Sequence, residues 1–272
     1  MCEFGRRDFI KAAGAGVAAA ALAPALVSCK MSDELKMHKA EGKKRHIVTL
    51  SFDDGFKKSS IKQAKIYEKY GLSACMNVIA TAHLPDFKPP GEYLASSPRG
   101  DFALWNELKA RGHEIMPHTY KHANLTEMPF DEAKQLVVRC LDYFSGHLEG
   151  FEPKEAVFNC AYNASTPELE KWLPTKVKAF RTGGDIINPL PSKSQVKLTC
   201  RSFGPENCDQ YLEGQIDNLL SLDEGWLIFN GHGLDDEGWG PMSSGFLEKL
   251  LERLVAIGSV EVLPAGKALS GG

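Results

Sequence analysis

Three short stretches of this 272-residue chain carry residue types suited to acid–base or metal chemistry. Asp53-Asp54-Gly55 follows the run HIVTLSF, His118-Thr119-Tyr120-Lys121-His122 follows a short apolar stretch ending at Met116, and Gly231-His232-Gly233 follows WLIFN. Adjacent aspartates direct their carboxylates differently, so one can hold a cation while its neighbour stays free to take a proton. Taken alone, Asp-Asp-Gly is more often a turn. Histidines at i and i+4 are expected to share one side of a helical turn, where both imidazoles reach a single ion. With Asp54 they form an Asp54, His118, His122 set of mixed N and O donors. Such a set suits a divalent metal, zinc first, with cobalt, iron or nickel as alternatives. An ion held there lowers the pKa of water to roughly 7. The glycines around His232 permit close backbone approach to a ligand, and its imidazole suits a proton donor to a leaving group. The plain alternative is a loop histidine in a Gly-rich turn.

All three stretches follow an apolar run, which sets what the rest of the chain must build. Strand-like runs at 46–52, 72–80, 113–116, 156–160, 177–180, 196–199, 225–230 and 259–263 alternate with helical patterns at 59–70, 102–110, 130–148, 166–173, 206–222 and 244–257. Ile61, Ala64, Ile66 and Tyr67 recur at helical spacing and stop at Gly71. Pro167 stands near the start of another helix. The alternation predicts an α/β fold of parallel βα units. About seven units are visible, so a barrel would be distorted and incomplete beside the eight-fold form. Chemistry in such folds sits at the C-terminal ends of strands. A Pro/Gly-rich segment at 83–100 is long enough to be a functional insertion.

Composition narrows the function classes. The chain is 43% hydrophobic and 25% charged with a formal net charge of −3, so no basic surface points to nucleic acid. Arg6-Arg7-Asp8-Phe9-Ile10-Lys11 and the Ala/Gly-rich run after it read as a twin-arginine export signal, too weakly hydrophobic to span a membrane. Leu26-Val27-Ser28-Cys29 resembles a lipobox, with Cys29 the expected lipid anchor and the sole tie to a membrane. The expected organisation is a signal segment at 1–29, a solvated tether at 30–44 and a catalytic domain at 45–272. Cys75, Cys140, Cys160, Cys200 and Cys208 make no disulfide framework, although Cys200 and Cys208 bracket a loop short enough to bridge.

Taken in order, Ser51-Phe52-Asp53-Asp54-Gly55, His118-Thr119-x-x-His122 and His232 resemble the polysaccharide deacetylases of the NodB-homology type. The resemblance runs from about Arg45 to Leu269. It implies a distorted, incomplete (β/α) barrel, Asp53 as general base, Asp54, His118 and His122 as metal ligands, and His232 as general acid. One motif departs. Where the family carries an Arg-x-Pro-Tyr type segment, this chain has Phe158-Asn159-Cys160-Ala161-Tyr162. Tyr162 is kept, and its backbone N–H is expected in the oxyanion hole. Asn159 replaces the Arg that orients the base. Arg181, at the next strand end, is a candidate to supply the missing guanidinium, and Asp185 a weaker candidate to orient His232.

The leading expectation is an exported, metal-dependent hydrolase that removes N- or O-acetyl groups from a carbohydrate. Two alternatives are a non-catalytic glycan-binding lipoprotein, suggested by Asn159, and an amidohydrolase of small non-sugar amides on the same fold.

Overall fold

A computed structural model of the chain describes residues 44–88 and 97–271. The signal segment, Cys29, the tether up to residue 43 and positions 89–96 of the insertion lie outside the described residues. β1 (Arg45–Phe52), α1 (Lys57–Glu68), β2 (Cys75–Val78), α2 (Phe102–Ala110), β3 (Glu114–Pro117) and α3 (Phe130–His147) come first. They are followed by β4 (Val157–Asn159), α4 (Pro167–Trp172), β5 (Ala179–Gly183), β6 (Ile187–Asn188) and β7 (Lys197–Cys200). α5 (Asp209–Ser221), β8 (Glu224–Gly231), α6 (Ser244–Ala256), β9 (Val260–Val262) and α7 (Ala265–Ser270) complete the order.

Local chemistry fixes several boundaries. Asp101 accepts from the Leu104 N–H at 3.0 Å and caps α2. Thr166 accepts from the Leu169 N–H at 3.3 Å, ahead of Pro167 in the first turn of α4. The chain leaves α1 through Gly71, at φ 66°. The strand expected at 177–180 lies at Ala179–Gly183, because the Val177 N–H closes a tight turn on the Leu173 carbonyl at 3.0 Å. β6 and α7, with two and six residues, are too short to leave a periodic signal.

The strands make two sheets, β3-β2-β1-β8-β6 with β9 also on β1, and β4-β5-β7. β8 runs parallel to β1 from Arg45↔Glu224 to Phe52↔Gly231 and fills one edge. The other edge is divided: β9 takes His46 to Val48, and β2 takes Ser51 and Phe52. β6 is antiparallel to β8, the exception to parallel pairing between these strands. The second sheet reaches the first through a bridge from Arg201 to Phe229. Between β3 and β4 no ladder forms among the described residues; Asn159 Nδ2 reaches the Pro117 carbonyl at 3.3 Å instead. The barrel is therefore incomplete, as the alternation of elements predicts.

The two-residue period of the strands divides the core. Val48, Leu50 and Phe52 of β1 join the larger cluster with the helices, whereas Ile47 joins a smaller inner cluster with Val157, Ala179, Leu198, Trp226 and Ile228. Ala265, Ala268 and Leu269 of α7 belong to that inner cluster and close its lower end. Trp226 Nε1 donates to Thr49 Oγ1 at 2.9 Å, which donates to the Leu263 carbonyl at 2.7 Å. Further up the inward rows the residues turn polar. Ser51, Asp53, Asn77, Asn159, Arg181 and Asn230 are all buried there.

Candidate active site

Asp53 extends the β1 ladder by one residue, its N–H donating to the Gly231 carbonyl at 2.9 Å. Asp54 then turns with φ 73°, a left-handed conformation that Asp tolerates better than most residues. The two carboxylates consequently meet different partners. Asp53 Oδ1 accepts from Asn77 Nδ2 at 2.7 Å, and Oδ2 accepts from Arg181 Nη2 at 2.5 Å. Asp54 Oδ1 lies 3.5 Å from His118 Nε2 and 3.3 Å from His122 Nε2, is fully buried, and makes no well-formed hydrogen bond.

His118 follows β3, and its Nδ1 donates to the Asn159 carbonyl at 3.1 Å. That bond selects the tautomer whose Nε2 lone pair faces Asp54. The helical turn expected for His118 and His122 does not form. Thr119 and His122 have φ of 64° and 57°, and the segment is a loop tied to the end of β2. Ala80 and Thr81 donate backbone N–H bonds to the Thr119 and Tyr120 carbonyls at 3.1 and 3.2 Å. Those carbonyls are thereby committed to a neighbouring strand end rather than to an i+4 amide. The loop still brings the histidines together, with ring centroids 5.1 Å apart. Donor atoms of Asp54, His118 and His122 all lie within 4.8 Å of one another. An orphaned carboxylate oxygen beside two inward imidazole nitrogens fits a divalent cation.

His232 follows β8, partly exposed, with its ring edge-on to Trp239 at 5.6 Å. Gly233 lets the next loop fold back closely: a Cβ there would meet the Glu237 carbonyl oxygen at 2.1 Å. Tyr162, in the turn after β4 at φ 58°, is about half exposed and places its ring 4.8 Å from that of His122.

Electrostatics separates these groups. Burial pushes Asp53 up, but the Arg181 guanidinium, with His118 and His232, outweighs it and holds the carboxyl below the ordinary value. Burial likewise opposes ionisation of Asp54, and its contacts with His118 and His122 reverse the sign and lower it. Burial pushes His122 down to about 4, against the pull of Asp54. His232 is lowered by burial, and His118 is raised because Asp53 and Asp54 outweigh its own burial.

Asn159 and Arg181 are register partners across β4 and β5. Asn159 turns its amide to the Val157 and Pro117 carbonyls, at 3.0 and 3.3 Å. Arg181, one strand over and fully buried, reaches Asp53 instead. Asp185 does not orient His232. Its side chain is 91% exposed and lies 3.8 Å from Arg201, because the chain has left the barrel interior after Gly183. Cys200 and Cys208 are free, buried thiols in separate core clusters, so the short bridge is not made. Asn77 went unnoticed in the sequence, although an amide in the apolar run LSACMNVIA is a readable signal. Trp239 also went unnoticed. The latch of its loop, Ser59 N–H and Oγ donating to Glu237 Oε2 at 2.7 and 2.6 Å, joins residues far apart in sequence.

The model of the polysaccharide deacetylase family matches residues 40–182, and the chain belongs to that family. A twin-arginine translocation signal matches residues 3–23, marking the chain for export. Among the described residues, no helix is long and apolar enough to cross a membrane. No curated protein matches the chain. A Mycobacterium smegmatis protein described as a polysaccharide deacetylase is 13% identical over 85% of this chain and 91% of its own, with a TM-score of 0.65. A family 4 acetyl xylan esterase from Clostridium thermocellum, in complex with a cobalt ion, is 16% identical over 82% and 90%, with a TM-score of 0.55. Peptidoglycan deacetylase PdaC from Bacillus subtilis is 14% identical over 85% and 93%, with a TM-score of 0.52.

Proposed function

We propose that this chain is an exported, metal-dependent hydrolase that removes acetyl groups from a carbohydrate, as an N-acetyl amide or an O-acetyl ester. The observation that carries the reading is the Asp54, His118, His122 donor set beside a separately anchored Asp53. The mixed N and O donors suit zinc, with cobalt, iron or nickel as alternatives. Held there, the cation supplies Lewis acidity to the acyl group and to water.

The remaining work falls to the chain's own side chains. Asp53, kept ionised by Arg181, takes a proton from the attacking water. The Tyr162 backbone N–H donates toward the developing oxyanion. His232 passes a proton to the departing sugar nitrogen or oxygen, so that acetate and a free amine or alcohol leave. Arg181 orients Asp53 in place of the residue at 159, which removes the ground on which Asn159 favoured a binding-only protein. Domain boundaries at 45 and 30, a lipid anchor at Cys29 and an acetylated envelope or environmental glycan as substrate complete the reading. The alternative of a small non-sugar amide shares the same chemistry.

Elemental analysis of the purified protein, followed by acetate release from acetylated glycans, tests this. Stoichiometric metal with acetate released from a sugar supports it. Metal bound with no acetate from any acetylated glycan would overturn it.

A further inference from the structure

Two adjacent carboxylates stand at the same distance from one imidazole nitrogen. His118 Nε2 is 3.5 Å from Asp53 Oδ2 and 3.5 Å from Asp54 Oδ1. Distance to His118 therefore does not separate the two aspartates, and only His122 Nε2, 3.3 Å from Asp54 Oδ1, favours one of them. What differs is how the oxygens are committed. Asp54 Oδ1 is buried without a partner, whereas each oxygen of Asp53 already accepts a hydrogen bond. Arg181 anchors Oδ2 from β5, and Asn77 anchors Oδ1 from β2.

Asn77 is completely buried, and its Nδ2 donates at 2.7 Å both to Asp53 Oδ1 and to Ser51 Oγ. The amide orientation is forced, since an ionised carboxylate accepts only. Its own Oδ1 finds no partner in the protein. A position that merely filled the barrel would be cheaper as an apolar residue, because a buried amide with an unpaired oxygen costs stability. One anchor would leave the carboxylate free to pivot about Cβ–Cγ and bring an oxygen round to the histidines. Two anchors on two oxygens fix its plane.

We propose that Asn77 is a positioning residue that assigns the roles of the two aspartates, holding Asp53 out of the metal's ligand set so that Asp54 alone supplies the carboxylate. This rests on the metal-dependent reading of the site given above. Removing the Asn77 donor lets Asp53 add to the ligands, and a base that has become a ligand no longer takes a proton from water.

The test uses the whole mature protein loaded with cobalt(II), whose visible absorption reports ligand number independently of turnover. In Asn77→Leu, the cobalt bands weaken and shift as a second carboxylate joins, and kcat falls at least tenfold while KM stays within twofold. Adding Asp53→Asn to Asn77→Leu returns the bands to those of the wild type. Asn77→Ser, whose hydroxyl is too short to reach Asp53, carries the same two expectations if the leucine variant does not fold. An unchanged spectrum in a folded Asn77 variant, or an altered one that Asp53→Asn does not restore, would overturn the proposal. Wild-type protein that gives no cobalt spectrum would instead sink the metal site itself, so the two failures are told apart.

Discussion

Asp53 and Glu114 sit at opposite ends of the same barrel, both buried and both hydrogen-bonded, yet they are driven in opposite directions. At the lower end, Glu114 Oε1 accepts from the Gly266 N–H at 3.1 Å and Oε2 from the Lys267 N–H at 3.2 Å. Burial pushes its pKa up, and these backbone donors, with Cys75 and the Lys267 charge, offset only part of that. At the upper end, Asp53 faces a guanidinium, and its pKa is lowered despite its burial. The difference teaches that backbone dipoles satisfy a buried carboxylate's hydrogen bonds without cancelling the cost of burial, whereas a guanidinium in direct contact more than cancels it. A polar column links the two ends. Cys75 Sγ lies 3.5 Å from Glu114 Oε1 and 3.9 Å from Ser51 Oγ, and Asn77 carries the chain on to Asp53.

The largest effects come from breaking the upper end. Asp53→Asn keeps its metal by elemental analysis and loses at least a hundredfold in turnover, the lower bound for a positioned base. His118→Ala loses both metal and turnover. If Asp53→Asn works at near-normal rates, the upper carboxylate is not the base.

Arg181→Met leaves Asp53 buried without its cation, and should cost about 3–5 kcal/mol in urea denaturation together with most of the activity. Because Asn159 is the register partner of Arg181, Asn159→Arg in that background offers a guanidinium from the neighbouring strand. A recovery of roughly tenfold in kcat is expected, and no recovery would show that the position on β5 matters as well as the charge.

The lower end gives a smaller effect of opposite sign. A group whose folded pKa is raised contributes stability below its unfolded value, near 4.5 for Glu114, and loses it as pH rises through the folded value. For Asp53 in metal-free protein the contribution is present above 3.8 and lost as pH falls. Glu114→Gln should therefore flatten the decline in stability between pH 5 and pH 8, measured by denaturation at both. A variant as pH-sensitive as the wild type would show that burial does not raise the Glu114 pKa. Smallest of all, added reductant should leave the unfolding midpoint unmoved, since Cys200 and Cys208 are free thiols.

Much of this was legible in the sequence, because strand-end placement and residue order are local properties. Asp53-Asp54-Gly55 after a β-branched run, two histidines after another and His232 after a third needed no coordinates to be brought to one end of a barrel. The alternation of elements likewise announced parallel βα units and an incomplete barrel. Helical spacing misled at His118 and His122, where the backbone hydrogen-bonds to β2 in place of itself. Asp185 misled because a strand end can leave the barrel as readily as face it.

What only the tertiary structure decided is the partnership of each carboxylate. Arg181 is 128 residues from Asp53 in sequence, and it reaches Asp53 only because β5 places its inward row against the upper end of β1. Asn77 lies within an apolar run of β2, where nothing local says whether its amide faces helices or the interior. The sequence determined which groups could do the chemistry. The packing of strands against one another determined which of two adjacent aspartates is anchored and which is left open, because hydrogen bonds are set by distance in space and not along the chain.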